Sequence, residues 1–342
     1  MQPLEILLGF VASAAVVVVA GIALARGGDV IAARTRLGGL WIGSIFLAMA
    51  TSLPELATDV SAIRIGVPDL AVGDLFGSSM ANMLILGVAS LLPGSELFRK
   101  TALDNALLIA FAILLTAMGA VAVLMEPRVT VLGWDPAPVL MAAVYLAGTR
   151  LLLRHTTVMR EAGTETETVP DGATSVKPDE QGGWPLRRGV LAFAAGALLV
   201  LLAGPLFARY AAGLARLTGL EASFVGTWLV GFSTSLPELV TTLAAVRMGA
   251  YDLAVGNLYG SNAFNMMLLL PLDLVHPGGP LLGAVDPVHA LSALVAIALM
   301  AIGLAAVVYR AKGRLSMLEP NGALMIAAYV AGLALIFARG GG

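Results

Sequence analysis

The sequence has no cysteine, which excludes disulfides and thiolate chemistry but leaves the cellular compartment open. Histidine is almost as scarce. His155, His276 and His289 lie far apart and near expected loops, so no imidazole-based transition-metal site is visible. Charge is thin as well: Asp, Glu, Lys and Arg make up 12% of the chain, against roughly 25% in a soluble domain. No basic patch marks a nucleic-acid partner, and the formal net charge of -2 is distributed over loops. What replaces charge is apolar residue: 58% of the chain is hydrophobic and the mean hydropathy is +0.91. Such a chain is an integral membrane protein whose immediate partner is the lipid bilayer.

Apolar runs of about 20 residues, the length of helix that crosses ~30 Å of hydrocarbon, fall near 4–25, 37–62, 67–92, 102–125, 132–153, 188–210, 220–246, 251–275, 286–309 and 321–339. The runs are continuous rather than alternating, which predicts an all-α bundle of ten transmembrane helices and excludes a β-barrel. The first run is expected to remain as a helix, because Met1–Glu5 has no basic stretch and Arg26, Arg34 and Arg36 follow it. Lys and Arg fall 15 to 5 in favour of the loops on the side that the first span reaches. The positive-inside rule then places both termini outside and the central loop in the cytoplasm of a multi-pass cell (cytoplasmic) membrane protein. Residues 154–188, rich in Glu, Gly, Thr and Pro, read as a polar linker between halves 1–153 and 189–342. Five spans per half is an odd number, so the second half must be inverted relative to the first.

The halves share a motif. Thr51-Ser52-Leu53-Pro54-Glu55 returns as Thr234-Ser235-Leu236-Pro237-Glu238, 183 residues on. A gapless alignment of 51–82 with 234–265 gives 19 identities in 32 positions. They include Arg64 with Arg247, Asp69 with Asp252, and Ser78 and Asn82 with Ser261 and Asn265. Two unrelated apolar helices would share Leu, Val and Ala, not Pro, Glu, Asp and Ser, so the match is an internal duplication.

Each proline should interrupt its span and free carbonyls near residues 50 and 233, with Thr51, Ser52, Thr234 and Ser235 bonding back to the helix. Spacing by four aligns Thr51, Glu55 and Asp59 on one face, and Asp74, Ser78 and Asn82 on the next span. Their counterparts are Thr234, Glu238 and Thr242, then Asn257, Ser261 and Asn265. Folded about an axis in the membrane plane, these stripes converge into an all-oxygen site suited to hard cations such as Ca²⁺, Mg²⁺ or Na⁺. Glu55, Asp59, Asp74 and Glu238 would together cost roughly 10–14 kcal/mol if they faced lipid, at about 2.5–3.5 kcal/mol per acid. They must face a cavity or a partner. Asp69 and Asp252 are expected to stabilise the N-termini of their own helices. Gly73, Gly77, Gly256 and Gly260 are expected to permit close helix packing.

The doubled T-S-L-P-E followed by G-[ND]-x-x-G-S-x-x-x-N resembles the repeats of the calcium/cation antiporter superfamily, in the sodium/calcium exchanger branch of prokaryotic type. The resemblance covers nearly the whole chain. It implies that Glu55 and Glu238 are the central cation ligands, surrounded by Thr51, Ser52, Ser78, Asn82, Thr234, Ser235, Ser261 and Asn265. It also implies exchange of Ca²⁺ for Na⁺ by alternating access, with one helix pair sliding against a core of eight, no cofactor and no covalent chemistry. This chain departs from the branch at Asn265, where Asp is usual, at Asp74, where Asn is usual, and at Ser79, in place of the Asn of G-S-N. Asp59 and Asp74 are thus candidates for an additional ion or proton relay. A proton-coupled exchanger of the same superfamily is the nearest alternative, although its G-N-A-x-E signature is missing. A remote alternative from another class is an intramembrane aspartyl protease using Asp59 and Asp74. Stoichiometry, transport direction and oligomeric state stay open.

Overall fold

A computed structural model gives the architecture and describes residues 3–34, 47–92, 95–103, 105–125, 135–161, 184–309 and 320–340. Within them the chain is helical, with no strand among the described residues. In chain order the helices are α1 (Pro3–Arg34), α2 (Leu53–Arg64), α3 (Pro68–Ser90), α4 (Asn105–Leu124), α5 (Pro136–Glu161) and α6 (Leu186–Thr218). The second half continues with α7 (Ala222–Thr234) and α8 (Leu236–Arg247), then α9 (Tyr251–Val275), α10 (Val288–Tyr309) and α11 (Pro320–Gly340). The described part of each of the ten apolar runs is mainly helical. Six of these helices, α1, α3, α4, α6, α10 and α11, are long and apolar enough to cross a membrane, and the bent pair α7–α8 makes a seventh. The run at 37–62 begins outside the described residues, as does most of the linker at 154–188. The remaining two runs correspond to α5, whose apolar part is the shorter Pro136–Leu152, and to α9, a helix of 25 residues that carries many polar side chains.

The duplicated motif makes the same local structure twice. Residues 47–51 are helical, Ser52 interrupts the helix, and α2 starts at Leu53 with Pro54 in its first turn. In the second half α7 ends at Thr234, Ser235 interrupts, and α8 starts at Leu236 with Pro237 in its first turn. The axes of α7 and α8 meet at 44°. Ser52 (φ -88, ψ 7) and Ser235 (φ -83, ψ 3) share one backbone conformation. The proline therefore opens a new helix, where its missing N–H costs nothing, rather than sitting inside a continuous one. Both half-helices are 12 residues long and run into a glycine of positive φ, Gly66 (78°) and Gly249 (73°). Only glycine takes that conformation readily, and it turns the chain tightly into α3 and α9.

These last two helices form the centre. Of the apolar window of α3, 89% is buried. Gly73 and Gly77 explain how close its neighbour comes: a Cβ on Gly73 would lie 2.8 Å from the Ser223 carbonyl oxygen, and one on Gly77 would collide with the backbone of Thr227. Gly226 and Gly231 of α7 make the reciprocal approach, to Leu70 and to Ser78. Here α7 widens into a π-helical turn over Gly226–Val230, a feature the sequence pattern does not announce. Gly256 and Gly260 are buried in α9 as expected.

α1 and α6 pack along each other through small residues: Gly27 against Gly189 and Phe193, and Gly196 against Ala20 and Leu24. Their shared apolar cluster of Ala20, Leu24 and Val200 is separate from the main core. The pair meets the rest of the molecule at the helix breaks, with Gly21 of α1 against both Pro237 and Pro54 and Gly204 of α6 against Ala57. Both broken motifs therefore converge on one point of α1.

Asp69 and Asp252 do more than place charge in the first turns of α3 and α9. Asp69 accepts from the Asp286 N–H (2.7 Å), and Asp252 accepts from the Ala102 N–H (2.7 Å) and Asn105 Nδ2 (2.8 Å). They tie their helices to the segments that lead into α10 and α4.

Gly77→Val should lower unfolding stability by about 1–3 kcal/mol or more, since the backbone of Thr227 cannot yield as a side chain would. Gly213→Ala, whose new methyl would lie 3.4 Å from Ile6, should be nearly silent. Thermal unfolding of the two variants in detergent, followed by size-exclusion chromatography, separates these outcomes.

Candidate cation site

Every residue proposed for the site is withdrawn from solvent: Thr51, Ser52, Glu55, Asp59, Asp74, Ser78, Asn82, Thr234, Ser235, Glu238, Ser261 and Asn265 each have 0% exposure. The site is closed to both sides of the molecule. Its residues come from the two breaks and from the middles of α3 and α9.

At the first break Thr51 Oγ1 donates back to the Leu47 and Ala48 carbonyls (3.0 and 3.1 Å) and lies 3.5 Å from Ser261 Oγ on α9. Ser261 Oγ in turn donates to Glu238 Oε1 (3.3 Å). At the second break Thr234 Oγ1 lies 3.0 Å from the Val230 carbonyl and 2.9 Å from Asp74 Oδ1 on α3. Ser78 Oγ lies 3.2 Å from Thr234 Oγ1 and 3.1 Å from the same Asp74 oxygen. Each break is thus stitched to the central helix of the opposite repeat. Thr51 and Thr234 bond back to the helix as expected; Ser52 and Ser235 do not, and their hydroxyls are buried with no hydrogen-bond partner.

The glutamates lie within electrostatic reach of each other. Glu55 interacts electrostatically with Glu238 and with Asp74, and Asp59 lies against Asp74. Among the described residues, the oxygens of Glu55 and Asp59, Oδ2 of Asp74 and Oε2 of Glu238 have no hydrogen-bond partner of good geometry, although Ser78 lies near enough to Glu55, and Asp74 to Asp59, to interact. Buried polar atoms are almost always paired, and unpaired ones call for an explanation such as an ion. Among the described residues, no group of three carboxylate or imidazole side chains is arranged to hold a metal ion on its own. A cation here would draw on hydroxyl, amide and carbonyl oxygens beside the acids, a donor set that fits a hard ion.

Not all of the expected stripes converge. Asn257 donates to Thr241 Oγ1 on its own hairpin (2.9 Å) instead of turning to the centre. Asn265 is buried with neither amide atom bonded, and Thr242 is likewise without a partner. Asn82 does cross between repeats, but to Asn262: Asn82 Nδ2 donates to Asn262 Oδ1 (2.9 Å), and Asn262 Nδ2 donates to the Ser79 carbonyl (3.3 Å). Asn262 is the residue that the sequence pattern passes over. Its signal was present as the Ser79/Asn262 mismatch between the repeats.

The sequence matches the model of the sodium/calcium exchanger protein family over residues 5–153 and 188–338, leaving the polar segment between them unmatched. The chain belongs to the sodium/calcium exchanger protein family. Among its relatives is the inner membrane protein YrbG of Escherichia coli (strain K12), 30% identical over 246 residues, or 70% of each chain. The fold of this family member is similar to that of the sodium-calcium exchanger NCX_Mj, with a TM-score of 0.59 and 20% identity over 98% of this chain and 100% of that one. It is equally similar in kind to an H⁺/Ca²⁺ exchanger, CAX, with a TM-score of 0.67 and 17% identity over 99% of this chain and 86% of that one. At these identities the likeness speaks for the fold. It is the multi-pass helical membrane fold of cation exchangers, found with sodium and with proton coupling.

Thr234→Ala leaves the buried Asp74 carboxylate one donor short and should cost about 1.5–3 kcal/mol of stability, the worth of a hydrogen bond to a charged group. Thr234→Ser keeps the donor and should cost less than about 1 kcal/mol. Chemical unfolding of both variants in detergent checks the difference.

Proposed function

We propose that this protein is a secondary active antiporter that exchanges Ca²⁺ for Na⁺ across the cell membrane by alternating access. In this reading ten spans form two inverted five-helix repeats, with both termini outside and residues 154–188 as a cytoplasmic linker. The carrying observation is that Glu55 and Glu238, one from each copy of the motif, are both fully buried and within electrostatic reach of one another.

The chemistry follows from the charge. Glu55 and Glu238 together neutralise one divalent ion, and Thr51, Ser78, Thr234, Ser261, Ser52, Ser235, Asn82 and Asn265 supply neutral oxygens around them. Ca²⁺ takes six to eight such oxygens. With Ca²⁺ gone the two carboxylates repel in a medium of low dielectric. The site then releases Ca²⁺ only as other cations replace it, and this replacement is the coupling of an antiporter. The helix pair α1–α6, packed through glycines and resting on both prolines, is suited to slide and open the site to one side at a time.

One observation favours protons as the counter-ion: Asp59 and Asp74 add two buried acids with no basic partner among the described residues. If one Ca²⁺ balances the glutamates, the aspartates still need a monovalent cation or a proton. The aspartyl-protease alternative also requires Asp59 and Asp74 side by side, as they are. Their continuity with Thr234, Ser78 and the glutamates, within a family of exchangers, supports transport instead.

Reconstituted protein should move Ca²⁺ against an imposed Na⁺ gradient at constant pH. Flux driven by a pH gradient alone would replace Na⁺ with H⁺ in this proposal, and no Ca²⁺ flux under either gradient would end the calcium assignment. Glu55→Gln or Glu238→Gln, by removing one member of a buried charge set worth about 3 kcal/mol or more, should reduce flux roughly a hundredfold.

A further inference from the structure

The two ties made by Asp69 and Asp252 share a plan and differ in the side chain that completes it. Asp69 near the start of α3 accepts from the Asp286 N–H at 2.7 Å and lies 3.1 Å from His289 Nε2. Asp252 near the start of α9 accepts from the Ala102 N–H at 2.7 Å and from Asn105 Nδ2 at 2.8 Å. Residues 102 and 286 are 184 apart, and so are 105 and 289. The ties are therefore repeat-related, each joining a backbone N–H and the side chain three residues on to one carboxylate. One uses a neutral amide, the other an imidazole.

We propose that the Asp69–His289 contact is a proton-sensitive latch on α3, and that it makes exchange depend on pH from one side of the membrane only. The inference rests on the antiporter reading. His289 is fully buried and its Nδ1 has no hydrogen-bond partner, while Asp69 keeps 31% side-chain exposure. The carboxylate is thus the path by which solvent protons reach a ring that is otherwise sealed. Imidazole is the side chain that ordinarily changes charge between about pH 5 and 8. When protonated, Nε2–H donates to Asp69 and the contact is an ion pair. When neutral, the ring either donates without charge or presents a lone pair to the carboxylate, and both are weaker.

The groups set around the latch leave it free to act. Asp69 faces His289 from α3, and Asp286 belongs to the segment that precedes α10. Helix α4 carries no charged residue over Asn105–Leu124. Helix α11 has only Arg339, in its last turn, besides the weakly acidic Tyr329. The short helix Leu97–Lys100 carries Arg99 and Lys100, both paired with Glu96.

Function follows from where α3 leads. Asp74, Ser78 and Asn82 lie about one and a half, two and a half and three and a half turns beyond Asp69 on the same rigid helix. Pinning its start resists any opening that tilts α3 away from α10. Low pH tightens the latch and slows exchange; rising pH loosens it. Asp252 and Asn105 hold the other repeat independently of pH. By the topology proposed above, His289 lies on the outer side.

The test varies pH on one face of proteoliposomes at a time, in wild type and in His289→Asn, which installs the amide that the other repeat uses. In wild type, Ca²⁺ exchange should rise about threefold or more as external pH goes from 5.5 to 8. In His289→Asn that part of the profile should be flat, with the rate at pH 8 preserved. An identical external profile in the variant, or a change confined to internal pH, overturns the proposal. Hydrogen–deuterium exchange of peptides covering 284–292, corrected for intrinsic rate, gives a readout without transport. Protection should fall with rising pH in wild type and not in His289→Asn. Protection that ignores pH in both overturns the latch, whereas wild type that moves no Ca²⁺ while showing this protection change overturns the antiporter reading alone.

Discussion

An ionised carboxylate inside a membrane-spanning bundle has lost its water, and the surrounding helices must return that solvation or the charge cannot persist. Four such acids, Glu55, Asp59, Asp74 and Glu238, are gathered here with no exposure. The rest of the architecture is arranged around that demand. Among the described residues, Lys and Arg are absent from the hydrogen bonds and electrostatic interactions of the cluster, so none of them serves as its counter-ion. Hydroxyl groups answer part of the need, since Thr234, Ser78 and Ser261 all lie within hydrogen-bonding distance of these carboxylates. In the exchange proposed above, a mobile cation or a proton answers the remainder, so the same burial that is costly to folding would be useful to transport.

The backbone is broken where that need is greatest. An unbroken helix keeps every carbonyl and N–H for itself and offers only side chains to its interior. Interrupting the helix at Ser52 and Ser235, then restarting with Pro54 and Pro237, removes the proline N–H from each backbone ladder, while bonds from the Ser52 and Leu56 N–H groups, and from those of Ser235 and Leu239, carry the chain past the break, and it sets both glutamates in a first turn. There the positive end of the half-helix dipole favours negative charge. The glycines are the other half of this solution. Without Gly77 and Gly231, α7 could not come close enough to α3 for Thr234 to reach Asp74. The π-turn at Gly226–Val230 lies in the same contact and sets the rotation of Thr234.

Much of this was legible in the sequence because the costly features are local and doubled. A Pro-Glu pair within an apolar run breaks local rules, and its return at a constant offset marks it as selected; Thr51, Glu55, Thr234, Glu238 and their partners on α3 and α9 follow from helical spacing. The misses share a physical cause. Asn262, Thr241 and the π-turn depend on how far one helix slides or rotates against another, and helical periodicity carries no information on that. The same holds for Asp69 and Asp252, whose partners lie 217 and 150 residues away. Each proline was expected to interrupt its span and does so, but spacing alone cannot distinguish a kink from a new helix that starts at the proline.

Duplication gives symmetry, but vectorial coupling needs the two halves to differ. In the first repeat Asp59 and Asp74 face each other beside Glu55, whereas in the second the corresponding Thr242 is unpaired and Asn257 is turned aside to Thr241. Negative charge is therefore displaced from the pseudo-symmetry axis towards the first repeat. A divalent ion is best balanced between the glutamates on that axis, while a monovalent ion or proton is best placed off it, beside the aspartates. In the exchange proposed above, two cations of different valence would thus have separate optimal positions within one buried cluster. Competition between them follows from repulsion across a few ångströms of low-dielectric interior, without any need for a second distant site.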